Sequence, residues 1–308
     1  MTPIAHVSDT AFWVASYRAA ESARPDALFH DPLAARLADA RGRAIAETIA
    51  DGYEVAWVVV IRTLIIDAFI REAIAGGCDT ILNLGAGLDT RPYRLELPAS
   101  LRWIEVDFAP TIDFKNQRLA GETPHCQLDR RAVDLGDAAA RRALLDDVDA
   151  HSRKVLVLTE GVVGYLSTEE VAALAEDLQA RPYIAYWVLE YSSALFRRIE
   201  RILSRRRHRQ MKENAPIRFR PGDWLAFFAR RGWTAKEIRF LMTEGERHGR
   251  PPPVPRWMQL VVRVLTLDHP AAVRESIGFA LMHRGHAVTT GRGEGLRSDH
   301  GRRYDGAR

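Results

Sequence analysis

Only two cysteines, Cys78 and Cys126, occur in the 308 residues. That number excludes a disulfide framework and reads as two reduced, packed thiols. The ten histidines form no HxxxH pair and there is no CxxC, so no structural metal site is expected. No apolar run reaches the ~18 residues a membrane helix needs, so no membrane partner is expected. The first nine residues lack a basic stretch followed by an apolar one, so the chain is read as cytoplasmic, without a signal peptide. What is present is the composition of a globular body, 47% hydrophobic and 27% charged, enough to bury a core.

The formal charge of +4 is unevenly placed. Residues 197–220 hold ten Arg or Lys against two Glu, a local +8, which leaves −4 for the rest. A basic segment without interleaved aromatics, on an otherwise acidic body, predicts no specific nucleic-acid partner.

There is no internal repeat. Residues 8–50 read as helices. Ser8 and Asp9 can cap a helix carrying Phe12, Trp13 and Tyr17, and Pro25 interrupts it. Asp31-Pro32 supplies an N-cap and first-turn proline for residues 33–39. Residues 53–75 form a long apolar-rich helix stopped by Gly76-Gly77. A short apolar run at 81–84 and segments at 101–107, 155–159 and 183–191 then read as strands, and residues 127–135 contain another. Helical patterns at 111–120, 138–148 and 167–180 separate them, the last opening on Ser167-Thr168-Glu169-Glu170. This alternation predicts an α/β domain with a mostly parallel sheet covered on both faces. Residues 233–243 and 257–267 are expected to close it with an antiparallel edge. Residues 1–284 are read as one domain, with 8–50 as a helical cap and 193–220 as a basic lid. Residues 285–308, nearly devoid of large apolar groups, are expected to be a disordered tail.

The first strand runs into Gly85-Ala86-Gly87-Leu88-Asp89. A strand entering Gly-x-Gly lets the backbone turn sharply and approach a ligand. By itself the pattern is a tight turn; its surroundings add to it. Asp107 ends the second strand 22 residues after Gly85. That is near the ~20-residue offset at which a carboxylate accepts from both ribose hydroxyls. The third glycine of a dinucleotide fingerprint is missing, and Asp89 would repel a pyrophosphate. A nucleoside without phosphates fits better, which weighs against a nicotinamide-dependent oxidoreductase. Asp134-Leu135 ends the third strand, where an acid can meet an adenine amino group, and Glu160-Gly161 ends the fourth. Ligands of open α/β sheets lie outside the carboxyl ends of the strands. S-adenosylmethionine, an adenosine with a sulfonium and an amino-acid tail, is a ligand of that kind.

On these residues the chain resembles the leucine carboxyl methyltransferase family, in particular its bacterial branch of S-adenosylmethionine-dependent and polyketide O-methyltransferases. The resemblance rests first on Asn83-Leu84-Gly85-Ala86-Gly87-Leu88-Asp89-Thr90-Arg91 with Tyr93-Arg94-Leu95. Ordered support comes from Thr10-Ala11, Arg18-Ala19, Leu28-Phe29-His30-Asp31-Pro32, Arg62-Thr63, Glu105-Val106-Asp107, Val133-Asp134-Leu135 and Glu160-Gly161 with Tyr165-Leu166. It implies a class I methyltransferase fold, Rossmann-like, with N-terminal helices and a helical lid insertion, and S-adenosylmethionine as cofactor. It implies that Arg62, and also Arg18, meets the cofactor's carboxylate. The loop of Gly85, Ala86, Gly87 and Asp89 would pass beneath its methionine part. Asp107 would hold the ribose, Asp134 and Leu135 the adenine, and Glu160 the amino group. An arginine fork suits a carboxylate, as a glutamate suits an ammonium. The chain departs from the family at Ala138-Ala139-Ala140-Arg141-Arg142, where a tryptophan-bearing segment is usual.

Methyl transfer from a sulfonium is an in-line displacement that mainly demands alignment and exclusion of water. A carboxylate acceptor needs no general base, which matches the lack of a Cys/His or Ser/His pair. Thr159-Glu160-Gly161-Val162 stands where amine methyltransferases of this fold often carry Asn/Asp-Pro-Pro-Tyr. The expected reaction is therefore O-methylation of a small-molecule carboxylic acid. A phenol, which requires a base, is the alternative. Tyr165 reads equally as the group orienting the acceptor oxygen and as a packed aromatic. The arginines of the basic segment read either as attracting an anionic acceptor or as a solvated helix face.

Overall fold

The computed structural model describes residues 10–48, 52–203, 216–253 and 270–285. Seven strands form one sheet in the order β3-β2-β1-β4-β5-β7-β6. They are β1 (Thr80–Leu84), β2 (Arg102–Asp107), β3 (Gln127–Ala132), β4 (Val155–Leu158), β5 (Ile184–Ser192), β6 (Trp233–Phe240) and β7 (Ile277–Arg284). The first five are parallel to one another. β7 runs antiparallel to both β5 and β6. The mostly parallel sheet with an antiparallel edge is as expected, and the strand that enters between β5 and β6 is one the apolar pattern did not mark. The seventh strand is residues 277–284; residues 257–267 lie outside the described residues, as do Ser8, Asp9 and residues 286–308.

The helices are α1 (Thr10–Ser22), α2 (Ala34–Thr48), α3 (Gly52–Ala75), α4 (Arg91–Arg94), α5 (Ala109–Arg118), α6 (Ala138–Ala150), α7 (Thr168–Gln179), α8 (Ala194–Leu203), α9 (Trp224–Ala229), α10 (Leu241–Arg247) and α11 (Pro270–Arg274). Their starts follow local chemistry. Asp31 accepts from the Ala34 amide, and Ser167 and Glu170 form a reciprocal capping box at α7. The helix expected to end at Asp39 instead kinks there, at a left-handed φ of 56°, and resumes to Thr48. Asp39 holds this turn by accepting from the Ala40 amide and pairing with Arg118.

Alternating strand residues face two cores, as the period-two pleat dictates. Leu82, Ile104, Val157, Trp187 and Met282 pack on one side with α6, α7 and α9. Ile81, Trp103, Leu156, Val188 and Leu281 pack on the other against α3. Two of the buried indoles have partners: Trp187 Nε1 donates to Thr159 Oγ1 and Trp233 Nε1 to the Ala175 carbonyl, each at 2.9 Å, whereas Trp103 Nε1 and Trp13 Nε1 have none. Among the described residues no helix is long and apolar enough to cross a membrane.

One polar group inside this body bears on the site. Glu105 of β2 and Lys115 of α5 are both fully buried and meet at 2.8 Å, with Arg130 of β3 on the second carboxylate oxygen. The bridge clamps α5 onto β2 just before Asp107. Burial pushes the Lys115 ammonium down, and Glu105 opposes the shift. Glu105→Leu alone strands that cation and is expected to cost about 3–5 kcal/mol in urea denaturation. Glu105→Leu with Lys115→Met is expected to recover most of it; equal losses in both variants would contradict this account.

Candidate active site

The strand order reverses between β1 and β4. Open α/β sheets form a crevice at such a switch point. A cavity of about 370 Å³ lies there, walled by the loops after β1, β2, β3 and β4 and by α1. All eleven residues singled out from the sequence line it: Arg18, Arg62, Gly85, Ala86, Gly87, Asp89, Asp107, Asp134, Leu135, Glu160 and Tyr165.

Gly85 and Gly87 have φ values of 69° and 48°, which L side chains rarely adopt. A Cβ on Gly85 would also collide with the Val162 side chain, and one on Gly87 would press within 3.2 Å of Ala11. The Gly85 and Ala86 amides donate to the Val106 carbonyl, and the Gly87 amide donates to Asp107 Oδ2 at 2.7 Å. The loop after β1 is thus tied to the end of β2, and the Asp107 carboxylate faces it. Phe108 follows at the cavity edge, 38% exposed.

Beyond β3, Asp134 Oδ1 accepts from the Gly136 amide and the Leu135 carbonyl accepts from Arg141 at 2.6 Å. Arg141 is itself held by Asp177 of α7. The plain segment 138–142 therefore contributes an anchor for the loop.

The floor carries a chain of buried charges. Arg91 Nε pairs with Asp67 at 2.7 Å, and its Nη1 reaches both Asp89 and Glu160 at 2.9 and 2.8 Å. Arg94 grips Asp67 as well. Arg18 Nε pairs with Asp31, and its Nη2 donates to the Leu88 carbonyl at 2.6 Å, so α1 is fastened to the glycine loop. Arg62 Nε lies 2.9 Å from Glu160 Oε1 without hydrogen-bond alignment. Four arginines thus face four carboxylates. Burial pushes the Asp89 carboxyl up, but Arg91, Lys115 and Arg18 outweigh it and hold the group below the usual range. At Glu160 burial is likewise overcome, by Arg91 and Arg62. Both acids remain ionised.

Several groups in or beside this wall were not among the sequence candidates. Trp13 lines the cavity with a buried Nε1 that has no hydrogen-bond partner. Arg218 is the cavity-lining residue among the described part of the basic segment, paired with Glu170 at 3.2 Å. Arg197, in contrast, ties the Ser192 and Gly222 carbonyls together. Arg205, Arg206 and Arg207 lie outside the described residues. Glu190, at the end of β5, accepts from the Gly161 amide. The strand-end acid pattern that picked Asp107, Asp134 and Glu160 reaches Glu190 too, had it been carried to the fifth strand.

The profile of the leucine carboxyl methyltransferase family matches residues 11–179, more than half of the chain. The chain belongs to this family. A Frankia alni protein provisionally named an S-adenosyl-L-methionine-dependent methyltransferase is 34% identical over 182 residues, 56% of this chain and 63% of that one. A similarly named Parafrankia protein is 36% identical over 190 residues, 56% and 59% of the two lengths. The match thus spans about three-fifths of these relatives. A solved structure of a duf574 family protein from Streptomyces avermitilis superposes with a TM-score of 0.54 at 18% identity, covering 92% of this chain and 98% of that one. That likeness concerns the fold alone.

Asp89 and Glu160 ionise below their unfolded values. Their stabilisation is complete above about pH 4 and is lost as pH falls through the folded values. Arg91→Met leaves Asp67, Asp89 and Glu160 short of a counter-charge. It is expected to lower stability at pH 7 by about 3–5 kcal/mol and to flatten the acid limb of the melting-temperature profile. A parallel downward shift at every pH would argue against the hub.

Proposed function

We propose that the cavity binds S-adenosylmethionine and that the chain methylates an oxygen of a small-molecule carboxylate, giving a methyl ester. The observation carrying this reading is the bare glycine turn at Gly85–Gly87 with Asp107 bonded beside it, in the cavity that Glu160 and Arg62 also line. The donor set fits the cofactor group by group. Asp107 retains lone pairs for ribose hydroxyls, and Asp134 with Leu135 flanks an adenine place beside Phe108. Arg62, not aligned on Glu160, has a fork to offer a carboxylate, and ionised Glu160 suits an ammonium. The orphaned Trp13 indole N–H supplies one more donor. Arg18 and Asp89 line the same wall, and Arg18 Nε and Nη2 and both Asp89 oxygens are engaged within the protein, which suits these residues to holding the loop.

When bound, the cofactor supplies a methyl group already activated on a positive sulfur. The protein's own work is to align the acceptor and exclude water. Tyr165 stands in the wall, its hydroxyl hydrogen-bonded to Thr10 and its acidity weakened by burial. It is suited to donate to, and so orient, an acceptor oxygen. Arg218 offers a partly exposed cation for an anionic acceptor. Family membership and the glycine–acid pattern support this reading over a nicotinamide enzyme.

Calorimetric titration is expected to register S-adenosylmethionine binding and no heat for NAD. Asp107→Ala is expected to weaken the cofactor about tenfold or more. A screen of carboxylic acids with methyl-labelled cofactor should then yield product labile to mild base. A base-stable product would point to an ether and a phenol acceptor, and NAD binding in place of S-adenosylmethionine would end the proposal.

A further inference from the structure

Glu190 is a fifth acid beside a set of charges that is already balanced. One carboxylate oxygen is held by the Gly161 amide at the turn after β4. The other is buried and has no hydrogen-bond partner. The charged and titratable groups around it are Arg62 from α3, Glu160 from the end of β4 and Tyr165 from the turn that follows; across the sheet its β7 neighbour is Phe279. Arg62 is already the ion-pair partner of Glu160. The four arginines on the floor match the four carboxylates there, so a charge on Glu190 has no cation of its own. An isolated carboxylate in such a place is strongly disfavoured and takes up a proton instead.

A ligand of net charge +1 in the adjoining cavity changes that balance, and a neutral one does not. S-adenosylmethionine, with sulfonium, ammonium and carboxylate, carries +1; the demethylated product, S-adenosylhomocysteine, carries the same amino-acid and adenosine groups with no net charge. Resting on the function proposed above, we propose that Glu190 is the residue that separates these two ligands, protonated in the free protein and ionised when the positively charged cofactor is bound. The cofactor then gains an electrostatic partner that its product lacks. Loss of the methyl group removes that attraction, and Glu190 regains its proton as the product is held more weakly.

Burial pushes the Glu190 carboxyl up to about 7, with Glu160 adding to the shift and the Gly161 amide and Arg62 opposing it. The change of charge therefore falls in an accessible pH range. By linkage, release of a proton on binding makes affinity rise with pH across that range.

The test is calorimetry of both ligands in buffers of different ionisation enthalpy, on the wild-type chain and Glu190→Gln, from pH 6 to 8. At pH 6.5 the wild type is expected to release about half a proton or more on binding S-adenosylmethionine, and clearly less with S-adenosylhomocysteine. Its preference for the former is expected to grow several-fold from pH 6 to 8. Glu190→Gln keeps an acceptor for the Gly161 amide but cannot ionise; it is expected to lose both the proton release and the pH-dependent preference. Equal release with the two ligands in the wild type, or unchanged release in Glu190→Gln, overturns the inference while leaving the cofactor assignment standing. Absence of S-adenosylmethionine binding overturns both. If the variant does not fold, the two-ligand comparison in the wild type decides alone.

Discussion

Three carboxylates from three separate elements converge on the buried guanidinium of Arg91: Asp67 from α3, Asp89 from the loop after β1 and Glu160 from the end of β4. Each of these acids would be costly to bury unpaired, and Arg91 would be as costly without them. The planar fork satisfies them together where a lysine could not, because it presents several donors in fixed directions. Burial disfavours the Arg91 cation, yet Asp89, Glu160 and Asp67 more than restore it, so the hub stays charged. The helix that backs the sheet and the two loops that form the crevice are thereby locked in one arrangement.

That arrangement explains why the glycine turn can be so bare. Its backbone amides are spent on the end of β2, its far side is pinned by Arg18 from α1, and Asp107 closes the ring. A wall of this kind presents backbone and acid to the cavity in positions fixed by these bonds.

The first five strands and the crevice they frame were readable along the chain. Four of the five are short apolar runs, β3 being the polar exception, and the first four lead into a chemically distinctive residue: Gly85, Asp107, Asp134 or Glu160. What escaped were relations that only folding creates. Arg91 meets Asp67 across 24 residues and Glu160 across 69, and no local pattern announces either. The seventh strand was missed for a different reason. Residues 277–284 are fewer than the β-branched run at 257–267 and include Gly278, His283 and Arg284, which weaken the apolar pattern of a strand. Gly278 is there because β7 crosses close to β6; a Cβ on it would strike the Arg239 carbonyl. Glu190 was hidden in an aromatic strand, where an acid reads as an outward-facing residue until the Gly161 amide is found on it.

The lining also divides by origin. The charged floor and glycine turn come from chain segments locked to one another, whereas Tyr165, Leu166, Glu170 and Arg218 stand on a short turn, the start of α7 and an extended stretch near residue 218. That stretch is attached through the Gly164 carbonyl and the anchored Phe219 side chain. A change confined to that stretch would redraw one side of the cavity and leave the charged floor as it is.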